Sequence, residues 1–180
     1  MISAKNLRNK ADLSAIPNNC PGYYKWWAEL PDLMRILKEL KVDFGDIQKN
    51  IETKDNLYCL YVGIAVKESL RERLNWHVND SHSPSKVRNG TLSTLRQSIS
   101  SIVAHDQYDK EATNAFIDHL FVEYFESDKP IKSDEAKNEI HAIEKALLNK
   151  HLYVLNIQEN KHPAAINIKR LLRKLRKEIK

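Results

Sequence analysis

The chain is poor in the residues that staple, divide or anchor a protein. Its two cysteines, Cys20 and Cys59, fall in no CxxC or HExxH pattern. Spacing therefore suggests neither a disulfide framework nor a zinc site, and both thiols read as reduced and buried. No segment approaches the roughly eighteen consecutive apolar residues that a membrane span requires. The first thirty residues carry Lys5, Arg8, Lys10 and Asp12 in place of an apolar leader. A cytoplasmic location without membrane insertion is the expectation. With 4 glycines and 6 prolines among 180 residues there is no low-complexity linker, and there is no internal repeat. The length suits one domain, 1–180, with a sizeable core.

What is present is unevenly placed. The formal net charge is +5, but Lys169–Lys180 holds seven Lys or Arg against the single acid Glu178 and so supplies +6, leaving −1 for the rest. A basic terminus of this kind suits nucleic acid, an anionic membrane surface or an acidic protein, and charge alone does not choose.

Periodicity predicts a mixed α/β (α+β) fold, a small three-stranded antiparallel or mixed sheet flanked by helices. Strands are expected at Gly22–Trp27, Leu57–Gly63 and Leu120–Phe125, and Tyr153–Ile157 reads as extended. Pro31 and Asp32 open a helix carrying Leu33, Ile36, Leu37 and Leu40 toward Gly45. Further helices are expected from near Lys67, over Gly90–Ala104 and over Ser133–Lys150. Between the first two of these, Asn79–Asn89 reads as a mobile loop. From Pro163 onward Ile168, Leu171, Leu172, Leu175 and Ile179 form one stripe opposite a basic face. That last helix packs its stripe on the domain, and its Arg173 and Lys174 are candidates to grip phosphate without reading sequence.

Two short strings, Gly22-Tyr23-Tyr24 and Tyr61-Val62-Gly63, use two of the four glycines. Adjacent Tyr23 and Tyr24 on a strand point to opposite faces, so one can face a cleft. Arg73 and His77 stand at i and i+4 on a helix face shared with Leu70 and Leu74. The alternative for Arg73 is to pair with a surface acid. Glu144 falls about 40° from Ile140 at 100° per residue, inside the apolar sector that Ile143, Leu147 and Leu148 define. A carboxylate there needs a partner, either a cation such as Mg²⁺ or an ion pair, for instance with Arg73. Hard cations often use one or two protein carboxylates and keep their waters, so one glutamate is enough to consider.

Taken together, these residues resemble the GIY-YIG nuclease superfamily. Gly22-Tyr23-Tyr24 is similar to its first motif with tyrosine for isoleucine, and Tyr61-Val62-Gly63 to its second. Leu70-Arg71-Glu72-Arg73-Leu74 resembles the helix that carries the family's arginine, with His77 one turn on, and Asn156 follows Glu144 by twelve residues. The resemblance covers 17–160 and implies an endonuclease that hydrolyses DNA phosphodiester bonds with Mg²⁺ or Mn²⁺ held by Glu144. It implies that Tyr24 positions or deprotonates water, that Arg73 neutralises the phosphate, that Tyr61 and His77 hydrogen-bond water or phosphate, and that Asn156 braces the site.

Tyr24 and Tyr61 are 37 positions apart, further than in compact members, so 28–56 reads as an inserted helix and loop. A tyrosine acting as base near neutrality needs a cation nearby, and Lys67 and then Lys25 are the candidates. Arg71, Thr94 and Arg96, the last two on a segment resembling one in restriction-type members, are candidates to touch DNA phosphates. Residues 163–180 would form a basic C-terminal helix. The implied partner is double-stranded DNA, with a homodimer suited to cutting both strands. The alternative is a module derived from this fold that binds nucleic acid without cutting it, or an adaptor that docks through its basic helix.

Overall fold

The computed structural model describes residues 1–10 and 12–179; Ala11 and Lys180, the last cation of the basic terminus, lie outside the described residues. The sheet is built on the strand that holds the first glycine-tyrosine string. Among the described residues it has five strands, β1 (Ile2–Ser3), β2 (Gly22–Ala28), β3 (Thr53–Lys54), β4 (Leu57–Ala65) and β5 (Phe121–Glu126), in the order β1-β5-β2-β4-β3. Every pairing is antiparallel, which removes the mixed-sheet option. The three expected strands are the three long ones at the centre. The count of three falls short because β1 and β3 have only two residues each, too few to show an alternating pattern.

β2 is aromatic-rich and buried along almost its whole length because it lies between β4 and β5 and is covered on both faces. On one face, Tyr24 and Trp26 join the main core with Leu70 and Leu74 of α4 (Leu70–Asn79) and with Leu33, Ile36 and Leu37 of α2 (Leu30–Leu40). The last helix, α9 (Ala165–Glu178), inserts Ile168 and Leu172 into the same core. On the other face Trp27, Cys59, Val62 and Tyr153 cluster with Leu148 of α8 (Asp134–Lys150). Ser133 caps α8 by accepting from the Ala136 amide, and Asp134 and Glu135 sit in its electropositive first turn.

Several elements differ from the sequence expectation. Tyr153–Ile157 is not a strand: one bridge joins Leu152 to Ile51, and the chain then turns. It still serves the sheet. β3 covers β4 only at Leu57 and Tyr58, and beyond that the returning chain takes the edge, with the Leu155 amide donating to the Leu60 carbonyl at 2.9 Å.

The expected mobile loop 79–89 contains a helix, α5 (Pro84–Asn89), capped by Ser83 and closed by left-handed Gly90. Asp80 and His82 in that stretch are buried, so its polar composition is that of a network and not of a solvated loop. The helix expected over Gly90–Ala104 is α6 (Thr94–Ile99) followed by a π-helical turn, Ser100–Ala104. Between β2 and β4 the chain forms α2, the single-turn α3 (Phe44–Ile47) and β3; helix α2 ends at Leu40 and not near Gly45. Helices α1 (Ala4–Arg8) and α7 (Lys110–Ile117) carried no clear sequence signal.

Candidate active site

A cleft of about 460 Å³ opens at the β4 edge, lined both by residues of α8, which packs on one face of the sheet, and by Tyr24 and Tyr61 of the other. Tyr24, Tyr61, Arg73, Glu144, Asn156 and Thr94 all line it. They come from β2, β4, α4, α8, the turn after α8 and the start of α6, so chain folding alone brings them together.

Tyr24 and Tyr61 lie with ring centroids 6.4 Å apart on paired strands. Their position depends on Gly63, which faces Tyr24 across the pair. A Cβ added there would stand 2.4 Å from the Tyr24 hydroxyl and 2.8 Å from Tyr61 Cε1. The string therefore needs glycine for close approach of two rings, not for a special φ. Burial raises the Tyr24 pKa well above the ordinary tyrosine value, Tyr61 and Glu144 add to the rise, and Arg73 opposes it. Tyr61 is pushed up to about 12 by burial and by Glu144. Both are neutral phenols at rest.

His77 stands behind Tyr24, 1 % exposed, with Nε2 2.5 Å from the Tyr24 hydroxyl. Burial, with Arg73 and Arg96, lowers its pKa to about 3, so the ring is neutral. Nδ1 has no partner among the described residues. An orphaned buried N–H costs more than a bare lone pair, so the favoured tautomer carries its proton on Nε2 and donates to Tyr24. The hydroxyl hydrogen of Tyr24 is then directed away from His77, toward Tyr61 at the cleft.

Arg73 projects from α4, a helix started by a reciprocal capping box between Ser69 and Glu72. Its guanidinium pairs with Glu68 at 2.5 Å and lies 4.9 Å from the Trp76 ring centroid. It thus finds a surface acid and reaches the cleft as well. The ion pair between Arg73 and Glu144 allowed by the sequence does not form. Among the described residues Glu144 has no Lys or Arg partner, only His141 Nδ1 at 3.6 Å. Burial, with Glu159 nearby, raises its pKa to about 7.

Asn156 is the brace of the β4 edge: Oδ1 accepts from the Val62 amide at 2.9 Å and Nδ2 donates to the Val62 carbonyl at 2.8 Å. One side-chain amide thereby replaces a strand neighbour at the residue between Tyr61 and Gly63.

Four expected roles are not supported. Lys25 is next to Tyr24 on a strand and so points to the opposite face, where its Nζ pairs with Glu52 at 2.6 Å. Lys67 is exposed in the turn before α4 and does not line the cleft. The cation that lowers the Tyr24 pKa is Arg73. Arg96 is fully buried and cannot meet DNA. It donates to the His77 and Val78 carbonyls at 3.1 Å, to His82 Nε2 at 2.9 Å and to Asn114 Oδ1 at 2.7 Å, closing the C-terminal end of α4. Arg71 donates to the Ile16 and Ser14 carbonyls and pins the chain before β2. Arg173 and Lys174 remain exposed on α9.

Other residues of the cleft were not anticipated: His141, Lys145, Gln158 and Glu159. His141 is three residues before Glu144, a helical spacing that places it on the same face, so a signal existed. Glu159 reaches the site through a left-handed backbone, φ 54°, that no pattern announces in a glutamate. Arg176 of α9 is partly buried, and its charge lowers the Tyr61 pKa. It lies at the border of the apolar stripe, at about 80° from Ile168, the kind of anomaly that marked Glu144.

The described residues contain no group of three or more His, Cys, Asp or Glu side chains arranged around a metal. Glu144 nonetheless fits a hard cation. It is a half-buried carboxylate without Lys or Arg compensation, facing a cleft with room for waters and phosphate oxygens, the pattern of a Mg²⁺ site built on one protein ligand.

The GIY-YIG catalytic-domain family model matches residues 22–178, from the first glycine of the first string into α9, and the chain belongs to that family. GIY-YIG nucleases act on DNA and are generally dependent on a divalent metal. No curated protein and no solved structure matches the chain significantly. No helix among the described residues is long and apolar enough to cross a membrane.

Proposed function

We propose that the protein is an endonuclease that hydrolyses DNA phosphodiester bonds with Mg²⁺ or Mn²⁺ held by Glu144. The observation that carries this reading is the meeting of Tyr24, Tyr61, Arg73 and Glu144 in one cleft, with His77 hydrogen-bonded behind Tyr24. A bound divalent ion would supply Lewis-acid stabilisation of charge on the phosphate and the leaving 3′-oxygen.

The protein's own groups do the rest. Tyr24 Oη, held by His77 Nε2–H, orients the attacking water; having released its own proton to solvent, it takes one from that water as the water oxygen bonds to phosphorus, and the leaving 3′-oxygen is protonated from solvent. Arg73 works against the burial that keeps Tyr24 neutral, and neutralising the Glu144 charge removes a second contribution that raises the Tyr24 pKa. As the water oxygen bonds to phosphorus and the bond to the 3′-oxygen breaks, Arg73 faces the charge that grows on the phosphoryl oxygens. Tyr61 donates its hydroxyl proton to phosphate or water. The products carry 5′-phosphate and 3′-hydroxyl ends. Each chain brings one such site, so cutting both strands calls for two copies or two encounters.

Nicking of supercoiled plasmid tests this reading: the wild type with Mg²⁺ or Mn²⁺ should cut, and Glu144→Ala should not. If cleavage never exceeds that of the variant, the enzyme reading is wrong. A gel shift with a steep salt dependence and no cutting would identify a binding module instead.

A further inference from the structure

The active cleft does not end at Glu144. A second hollow of about 360 Å³ shares Ile157 and Gln158 with it and is lined beyond them by Arg173, Arg176 and Lys177 of α9. A third, of about 560 Å³, continues from Arg173 and Lys177 along Lys174, Arg170 and Lys169. Among the described residues no carboxylate lines either hollow. Among the described residues Arg173 and Arg176 form no ion pair, and Lys174 lies 3.7 Å from Glu178. The C-terminal end of α9 is fixed from inside, since Gln107 Nε2 donates to the Arg176 carbonyl at 2.9 Å.

We propose that α9 extends the active site as a track for the sugar-phosphate backbone of the substrate, with Arg176 at the junction near Tyr61 and Arg173, Lys174 and Lys177 gripping phosphates beyond it. This rests on the nuclease reading and adds a direction to it: the nucleic acid leaves the cleft past Gln158 and along the helix. A row of cations whose charge is offset by one exposed acid, Glu178 beside Lys174, and which opens into a phosphodiesterase cleft is complementary to a polyanion running through that cleft. It carries no base-reading geometry, so the grip is indifferent to sequence.

The test uses the full chain with Glu144→Ala, so that DNA is bound but not cut. Binding of a labelled duplex is followed by fluorescence anisotropy over a series of salt concentrations, with and without Arg173→Gln, Lys174→Gln and Lys177→Gln together. Each phosphate contact contributes roughly 0.9 to the slope of log affinity against log salt, so the triple variant should lower that slope by about 2 to 3. Circular dichroism reports whether the variant is folded. A second measurement needs no substitution on α9. The helix is about 21 Å long at 1.5 Å per residue, so lengthening a minimal duplex by roughly six base pairs should tighten binding and steepen the salt slope.

An unchanged slope together with an unchanged length dependence would overturn the track, while metal-dependent nicking by the wild type would leave the nuclease reading standing. A protein that neither nicks nor binds DNA would remove both. Co-sedimentation with phosphatidylserine vesicles that the triple variant loses, with its DNA slope intact, would make this face a membrane contact and overturn the proposal.

Discussion

The two faces of the sheet around β2 hold groups of the same composition in opposite electrostatic states. Behind the strand, Lys25, Glu52 and Tyr153 close on one another: Lys25 Nζ lies 2.6 Å from one Glu52 oxygen and the Tyr153 hydroxyl donates to the other at 2.7 Å. Burial pushes Glu52 up, but the bonds from Lys25 and Tyr153 outweigh it and its pKa is lowered. In front, Arg73, Glu144 and Tyr24 line one cleft but do not pair, and Glu144 rises to about 7. The same three chemical types make a structural clasp where they satisfy each other and a site where they do not: Arg73 turns to Glu68, and Glu144 is left without a Lys or Arg among the described residues. A carboxylate left in that state at the cost of stability is what a cation can use.

The comparison breaks first at the arginine. Arg73→Ala should lower kcat by about 10²–10³-fold, the usual effect of removing one donor aimed at developing charge, while leaving thermal stability nearly unchanged. Lys25→Met should do the reverse. Leaving Glu52 buried without its cation should cost roughly 3 kcal/mol in urea unfolding, with the folded fraction still competent to cleave. If Lys25→Met lost activity and kept stability, the assignment of the two faces would be inverted.

Glu144 sharpens the comparison through pH. Its pKa rises from 4.5 unfolded to about 7 folded, so the folded state binds the proton more tightly. The contribution of Glu144 to stability is then fully present below about pH 4.5 and is lost as pH rises toward 7, by up to ~3 kcal/mol at 1.36 kcal/mol per unit. Glu144→Gln should therefore stabilise the metal-free protein in thermal unfolding at about pH 8 and change little at about pH 4. A variant less stable at the higher pH would mean that Glu144 is paired after all. The smallest effect is expected at the brace. Asn156→Ala leaves the Val62 amide and carbonyl without their partner, costing about 1–3 kcal/mol, and hydrogen exchange at Val62 should accelerate.

The two strings, the three long strands and the anomaly of Glu144 were legible because each is a local pattern: a motif, an alternation, a polar residue in an apolar sector. The face on which Lys25 lies was legible in principle too, since neighbours on a strand diverge, but closeness in sequence to Tyr24 outweighed that rule. Arg96 and Arg71 misled because a cation looks the same in sequence whether it meets phosphate or backbone carbonyls. Burial decides, and burial is tertiary. Asp80, His82 and Arg96 made a buried network look like a loop for the same reason. Two-residue strands and the left-handed turn at Glu159 have no periodic signature at all.

The central claim is that Glu144 is held ready for a cation. Mn²⁺ binding, read from the free-ion electron paramagnetic resonance signal as pH is raised through neutrality, tests it most directly. A proton and the metal compete for one carboxylate, so affinity should tighten about tenfold per pH unit below about pH 7 and level off above it. Binding should vanish in Glu144→Gln. Affinity independent of pH, or retained by that variant, would contradict the account.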